Sequence, residues 1–352
     1  MKKKLTKALV LGAMLSLTMQ SVSALAVTEP NIVNDDPMIV VSLGDSYSSG
    51  EGIETFYGQE KSLANKVYDQ DWIAHRSTKG WPALIQVPGV SGTMSNYKTS
   101  SSSNASCQWY FAAASGAVTS NVTTTKQSKY INKRQGNIFK HTDYKYTAYL
   151  PKQLDVFNNI NGGVDYVTMT IGGNDVGFAD IITECATGST YLGTSNLNKK
   201  LNKIWDNMDN TKADIKNVYE QVENKAGYDA AIVVAGYPKL LDKEGKGWLI
   251  SEEEATTVNA NVVLFNDVIE GLVNECADEG MNIYFVDVED AFDNHEAYSD
   301  DAWINKIIFG AKSEDLDRTT IASAYSMHPN ATGAVAYANC VNSKIAEIEN
   351  NK

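Results

Sequence analysis

Four runs of consecutive apolar residues punctuate the chain, each closing on glycine or acidic positions. Met38 to Val41 leads into Gly44-Asp45-Ser46, and Tyr166 to Ile171 into Gly172-Gly173-Asn174-Asp175. Ala230 to Ala235 leads into Gly236-Tyr237-Pro238, and Ile283 to Val288 into Glu289-Asp290. A weaker fifth run, Trp109 to Ala114, meets Ser115-Gly116. Apolar runs without alternation predict strands buried on both faces. Between them, Leu201, Ile204, Met208, Ile215, Val218 and Val222 mark an apolar helical face, broken near Asn210 and ended at Gly227. Ser251-x-x-Glu254 is a capping box that opens a helix reaching about Gly280, and Pro329 opens a last helix towards Asn350. Strands alternating with helices predict a parallel sheet covered on both faces, an α/β/α sandwich of three layers. Ligands of such sheets bind at the carboxyl ends of the strands, so the polar, Gly-rich strand ends share one address. The Ser/Thr/Asn-rich stretches Ser100 to Ser106 and Thr119 to Ser128 read as surface loops.

The first 26 residues stand apart. Lys2, Lys3, Lys4 and Lys7 precede a short apolar run, Ala8 to Met19, and Ala24-Leu25-Ala26 has the small-x-small form of a cleavage site. This is the layout of a secretory signal peptide, and the run is short for a membrane span. Secretion after cleavage near Ala26 is expected, with no stable membrane anchor. The expected organisation is a signal peptide over 1–26, a polar leader over 27–37 and one domain over 38–350. The net charge of −13 becomes more negative once the signal peptide's lysines are lost, which excludes a nucleic-acid backbone as the main partner. The same charge gives no help towards anionic lipid surfaces. Cys107, Cys185, Cys276 and Cys340 would meet an oxidising environment and are disulfide candidates, with three connectivities open. No CxxC spacing suggests a metal site, and none is expected.

The chemistry concentrates at strand ends. Ser46, at a strand-to-helix turn, is a candidate nucleophile that needs a base to take its proton. Asn174, beside glycines that let a substrate approach, is a candidate donor to a developing oxyanion. His328, in Ser326-Met327-His328-Pro329-Asn330, is the histidine best placed to be that base.

Together these blocks resemble the SGNH (GDSL) hydrolase superfamily. Gly44-Asp45-Ser46 matches its nucleophile block, Gly172-Gly173-Asn174-Asp175 its GxND block and His328 its histidine block. Gly116 in Ser115-Gly116-Ala117 is the best match to the glycine that lends an amide to the oxyanion hole. Gly44 to Gly52, Arg76-Ser77, Trp81-Pro82, Gly236-Tyr237-Pro238, His295-Glu296 and His328-Pro329-Asn330 look like the secreted lipase and esterase branch described in actinobacteria. That branch implies a flavodoxin-like sheet, no cofactor and three disulfides, but Ala74, Ala114 and Ala297 stand where some of its cysteines are expected.

The superfamily's aspartate three residues before the histidine is also missing, because Tyr325 occupies that place. By resemblance to branch members, the Tyr325 carbonyl is expected to orient His328, giving a Ser–His dyad; Asp315 and Asp317 are the rival partners. The reading is a secreted, monomeric serine carboxylester hydrolase acting on a small-molecule or lipid ester. Its oxyanion hole comprises Ser46, Gly116 and Asn174. A polysaccharide deacetylase of the same type is the alternative, and a non-catalytic binding protein on this fold the more distant one.

Overall fold

The computed structural model describes residues 36–59, 68–99, 106–178, 181, 195–244 and 250–352. The expected signal peptide, nearly all of the polar leader, most of the Ser100–Ser106 stretch and Cys185 lie outside the described residues.

All five apolar runs are strands. β1 (Met38–Gly44), β2 (Cys107–Phe111), β5 (Tyr166–Thr170), β6 (Ala231–Ala235) and β7 (Ile283–Val286) form one parallel sheet in the order β2-β1-β5-β6-β7. Val40 pairs with Trp109 on one side and Tyr166 on the other, so β1 lies between β2 and the central strand β5. β5 and β6 are buried at every position, as expected for strands covered on both faces. The helix Glu252–Asp278 packs on β7, and the last helix, Ala331–Asn350, packs on β6, β7 and the short helix Trp81–Leu84. The result is a three-layer α/β/α fold in which Asp36–Lys352 forms one compact unit.

Helix boundaries follow local chemistry. The Ser251 hydroxyl accepts from the Glu254 amide, and the Glu254 carboxylate accepts from the Ser251 amide at 2.9 Å, closing the capping box. The apolar face around Asn210 belongs to two helices, Ser195–Asp206 and Met208–Ala226, which part at Asn207. The last helix begins two residues after Pro329, where the Asn330 side chain accepts from the Thr332 and Gly333 amides.

The Thr119–Ser128 stretch is not a loop. Thr119–Thr123 is a helical turn, and the Asp175 carboxylate accepts from the Thr119 amide and hydroxyl at its start. From Gln127 the chain enters an antiparallel hairpin, β3 (Gln127–Gly136) with β4 (His141–Leu150). Its signal is in the sequence: Tyr144, Tyr146, Ala148 and Leu150 alternate with polar neighbours after a Gly136-Asn137 turn. The hairpin base docks on a C-terminal loop, where the Asn132 amide donates to the Leu316 carbonyl and the Arg318 amide to the Asn132 carbonyl.

The disulfide expectation fails for the described cysteines: Cys107, Cys276 and Cys340 are all free thiols. Cys107 is buried in β2 with its thiol against the Met94 sulfur, and burial pushes its pKa up to about 12. Ala74 and Ala114, where family cysteines were expected, are buried in one apolar cluster, so packing stands in place of a staple.

Candidate active site

β1 ends where the chain must turn sharply. Gly44 has φ +118°, and a Cβ there would lie 2.3 Å from the Thr170 carbonyl oxygen of the neighbouring strand, so only glycine fits. Gln153 holds this end, accepting from the Gly44 amide at 2.7 Å and donating to its carbonyl at 2.8 Å. Asp45 then caps the single helical turn Ser46–Ser49, accepting from the Tyr47 amide. Its carboxylate also accepts from the Thr170 hydroxyl at 2.7 Å and the Tyr237 hydroxyl at 2.5 Å. Asp45 therefore ties β1, β5 and the end of β6 together beneath Ser46. Burial is the main cause of its pKa rising to about 6, against the three hydrogen bonds that favour the anion.

Ser46, Gly116, Asn174 and His328, carried by the ends of β1, β2 and β5 and by the loop before the last helix, line one cavity of about 270 Å³. These are the carboxyl ends of the strands. The backbone N–H groups of Ser46 and Gly116 have no acceptor among the described residues. One amide hydrogen of Asn174 goes to the Ala117 carbonyl at 2.9 Å, which leaves the second to face elsewhere. Phe178, Leu240, Val262 and Met327 give the cavity an apolar wall.

His328 sits partly buried against Tyr47, whose ring centroid is 5.0 Å away and whose hydroxyl donates to the Met327 carbonyl. Its Nδ1 lies 2.9 Å from the carbonyl oxygen of Ser326, not that of Tyr325. This corrects the expected partner while retaining a backbone carbonyl. The reason is local: Met327 adopts φ +59°, reversing the chain between the carbonyl and the ring. Tyr325 is used otherwise. Its hydroxyl donates to Glu54, its ring packs edge-on against Phe56, and its carbonyl oxygen faces Gly52. Neither rival aspartate bonds the imidazole. Asp315 accepts from the Lys312 and Ala324 amides, and Asp317 accepts from Asn132 and Thr319. Burial lowers the His328 pKa below the ordinary 6.5, opposed by the charge of Glu51 and by backbone carbonyls.

A group with no sequence motif to single it out lies beside this cavity. Glu51 and His75 form a buried contact of 2.6 Å between carboxylate and Nδ1. Burial raises the Glu51 pKa, but His75, His328 and Ser115 outweigh it and hold the carboxyl at about 2. His295 is elsewhere, stacked on Trp303 at 3.6 Å with Nδ1 near the Asp301 carbonyl.

The family model for GDSL-like lipase/acylhydrolase matches residues 40–341. A lipase of Streptomyces rimosus is 29% identical over 309 residues, spanning 88% of this chain and 85% of that protein. The crystal structure of the extracellular lipase from Streptomyces rimosus superposes with a TM-score of 0.59 at 27% identity, over 87% of this chain and 99% of that one. Phospholipase A1 from Streptomyces albidoflavus gives a TM-score of 0.57 at 27% identity, over 88% of this chain and all of the other. With the match spanning both the Ser46 turn and the His328 loop, the chain belongs to the GDSL-like lipase/acylhydrolase family, a family of carboxylester hydrolases.

Proposed function

We propose that the protein is a secreted lipase or esterase that works through a Ser46–His328 dyad. The observation that carries this reading is the convergence of Ser46, Gly116, Asn174 and His328 on one cavity with an apolar wall and with two backbone N–H groups unpartnered among the described residues. With Nδ1–H donated to the Ser326 carbonyl, the neutral ring keeps Nε2 as the acceptor. Nε2 takes the Ser46 proton as Oγ attacks the ester carbonyl carbon. The resulting oxyanion is held by the Ser46 and Gly116 amides and the Asn174 side chain, donors that each contribute about 2.7–4 kcal/mol in comparable sites. Collapse breaks the acyl–oxygen bond, and the departing alcohol takes the proton from Nε2. Water then attacks the acyl-enzyme with the same base, releasing the acid and restoring Ser46. The carbonyl orients the imidazole as a triad carboxylate would, but without its negative charge.

The apolar wall of Phe178, Leu240, Val262 and Met327 supports an acyl chain of some length over an acetyl group on a polysaccharide. Export is inferred from the basic, apolar N-terminal layout and agrees with the extracellular nature of the similar Streptomyces rimosus lipase; among the described residues no helix is long and apolar enough to cross a membrane. A series of 4-nitrophenyl esters from acetate to palmitate, run beside acetylated xylan, tests the substrate reading. Higher kcat/KM on medium or long acyl chains than on acetate is expected. Turnover of acetylated xylan with none of the longer esters would replace this reading by the deacetylase.

A further inference from the structure

The β3–β4 hairpin reaches the oxyanion hole from behind. Two residues of β3 converge on one acceptor: Gln127 donates through Nε2 to the Ser115 carbonyl oxygen at 2.8 Å, and the Lys129 ammonium donates to the same oxygen. That oxygen belongs to the peptide unit whose N–H is the Gly116 amide. A trans peptide is planar with C=O and N–H pointing in opposite directions. Pinning the carbonyl to the hairpin therefore aims the amide the other way, and both Ser115 and Gly116 line the catalytic cavity. Gly116 itself is at φ +70°, and a Cβ there would meet Gln127 Nε2 and Lys129 Nζ, at 3.7 and 3.8 Å, so the two hairpin donors bound the space on that side of it.

The amide of Ser115 is tied down as well. It donates to the Ala74 carbonyl at 2.9 Å. With Ser115 held at its own amide and Gln127 on its carbonyl, fixing the next peptide needs no lysine. An ammonium on the carbonyl does something further: it draws electron density from the amide and strengthens the N–H as a donor, in the way hydrogen-bond chains polarise one another in a low dielectric.

We propose that Lys129, assisted by Gln127, is a positioning residue of the oxyanion hole, holding and polarising the Ser115–Gly116 peptide so that the Gly116 amide is a stronger donor to the transition state. This rests on the reading of Gly116 as an oxyanion donor. Lys129 touches no substrate atom and acts through that peptide. Burial is the main cause of its pKa falling to about 8, with Glu51 opposing. His75 and Glu51 from the nucleophile side, Tyr130 beside it on β3, and Asp315 and Asp317 from the facing loop line the same small cavity.

The test compares wild type with Lys129→Met, Lys129→Arg and Gln127→Met on a soluble 4-nitrophenyl ester, with thermal melts alongside. Lys129→Met is expected to lower kcat about 10- to 100-fold, less than the 10²–10³ for complete loss of one donor, with KM within about twofold. Its affinity for an arylboronic acid, whose Ser46 adduct places an oxygen in the hole, should fall by the same factor. Lys129→Arg keeps a permanent cation there and should recover most of kcat while moving the alkaline limb of the pH profile upwards. Asn174→Ala serves as the reference for the hole itself. If Asn174→Ala loses 10²-fold or more while folded Lys129→Met keeps kcat and boronate affinity, the role of Lys129 is overturned and the hole stands. If neither variant loses activity, the oxyanion reading itself fails. Should Lys129→Met not fold, an unchanged kcat and alkaline limb in both Gln127→Met and Lys129→Arg would equally overturn the proposal.

Discussion

Asp45 sits directly before Ser46, the proposed nucleophile, and its replacement by Asn should change how stability depends on pH. The carboxyl is 1% exposed and carries its charge among three donors. Its pKa rises from an ordinary 3.8 to about 6, chiefly because burial disfavours the anion. Between these values the folded chain binds the proton more tightly than the unfolded chain does. Stability therefore falls as pH rises through this window, and the loss is complete above about pH 6 at about 3 kcal/mol. Asn has nearly the same size, keeps an oxygen for the Tyr47 and Thr170 donors and does not titrate. Guanidinium unfolding of wild type and Asp45→Asn across pH 4 to 8 gives two curves, and their difference cancels every acid common to both. Wild type should lose about 2 kcal/mol relative to the variant between about pH 4 and pH 7, where the unfolded carboxyl is already mostly ionised. A difference that stays level within about 1 kcal/mol across that range would refute the argument that Asp45 is a buried, ionised brace.

Other outcomes follow from the same geometry. Asn174→Ala should lower kcat by about 10²–10³ with little change in KM, measured on a soluble ester, because the donor acts on charge that exists only in the transition state. The depressed His328 pKa means the base stays neutral to lower pH than a free imidazole, so the acid limb of kcat/KM should fall below pH 6.5. Gly44→Ala should fail to accumulate as folded protein, since the new methyl would sit 2.3 Å from a strand carbonyl oxygen at a left-handed φ. The free state of Cys107, Cys276 and Cys340 predicts a melting temperature unchanged by a reducing agent, and reaction of these cysteines with a thiol reagent only after denaturation for the two buried ones.

Why some of this was legible beforehand is a matter of burial and periodicity. β1, β5 and β6 are covered on both faces, so their apolar runs carry no ambiguity, and the Ser46 and Asn174 blocks sit where β1 and β5 end. β3 and β4 have one wet face and a run of Lys, Tyr and Thr, which reads as polar chain unless the period-two alternation is counted. Missing the hairpin concealed Lys129 and Gln127, whose importance lies in contacts with Ser115, 14 and 12 residues away. The carbonyl at His328 Nδ1 is that of Ser326 and not of Tyr325 because Met327 takes a positive φ, a conformation that nothing in a methionine side chain favours. Glu51 and His75 are brought together by long-range packing across 24 residues and share no local motif.

Reaction of the folded protein with a fluorophosphonate probe tests the central claim most directly. The account predicts a single covalent adduct, located by peptide mass spectrometry on Ser46, formed by wild type, abolished in Ser46→Ala and slowed in His328→Ala. A folded wild-type protein that remains unlabelled, or that carries the adduct on another residue, would contradict it.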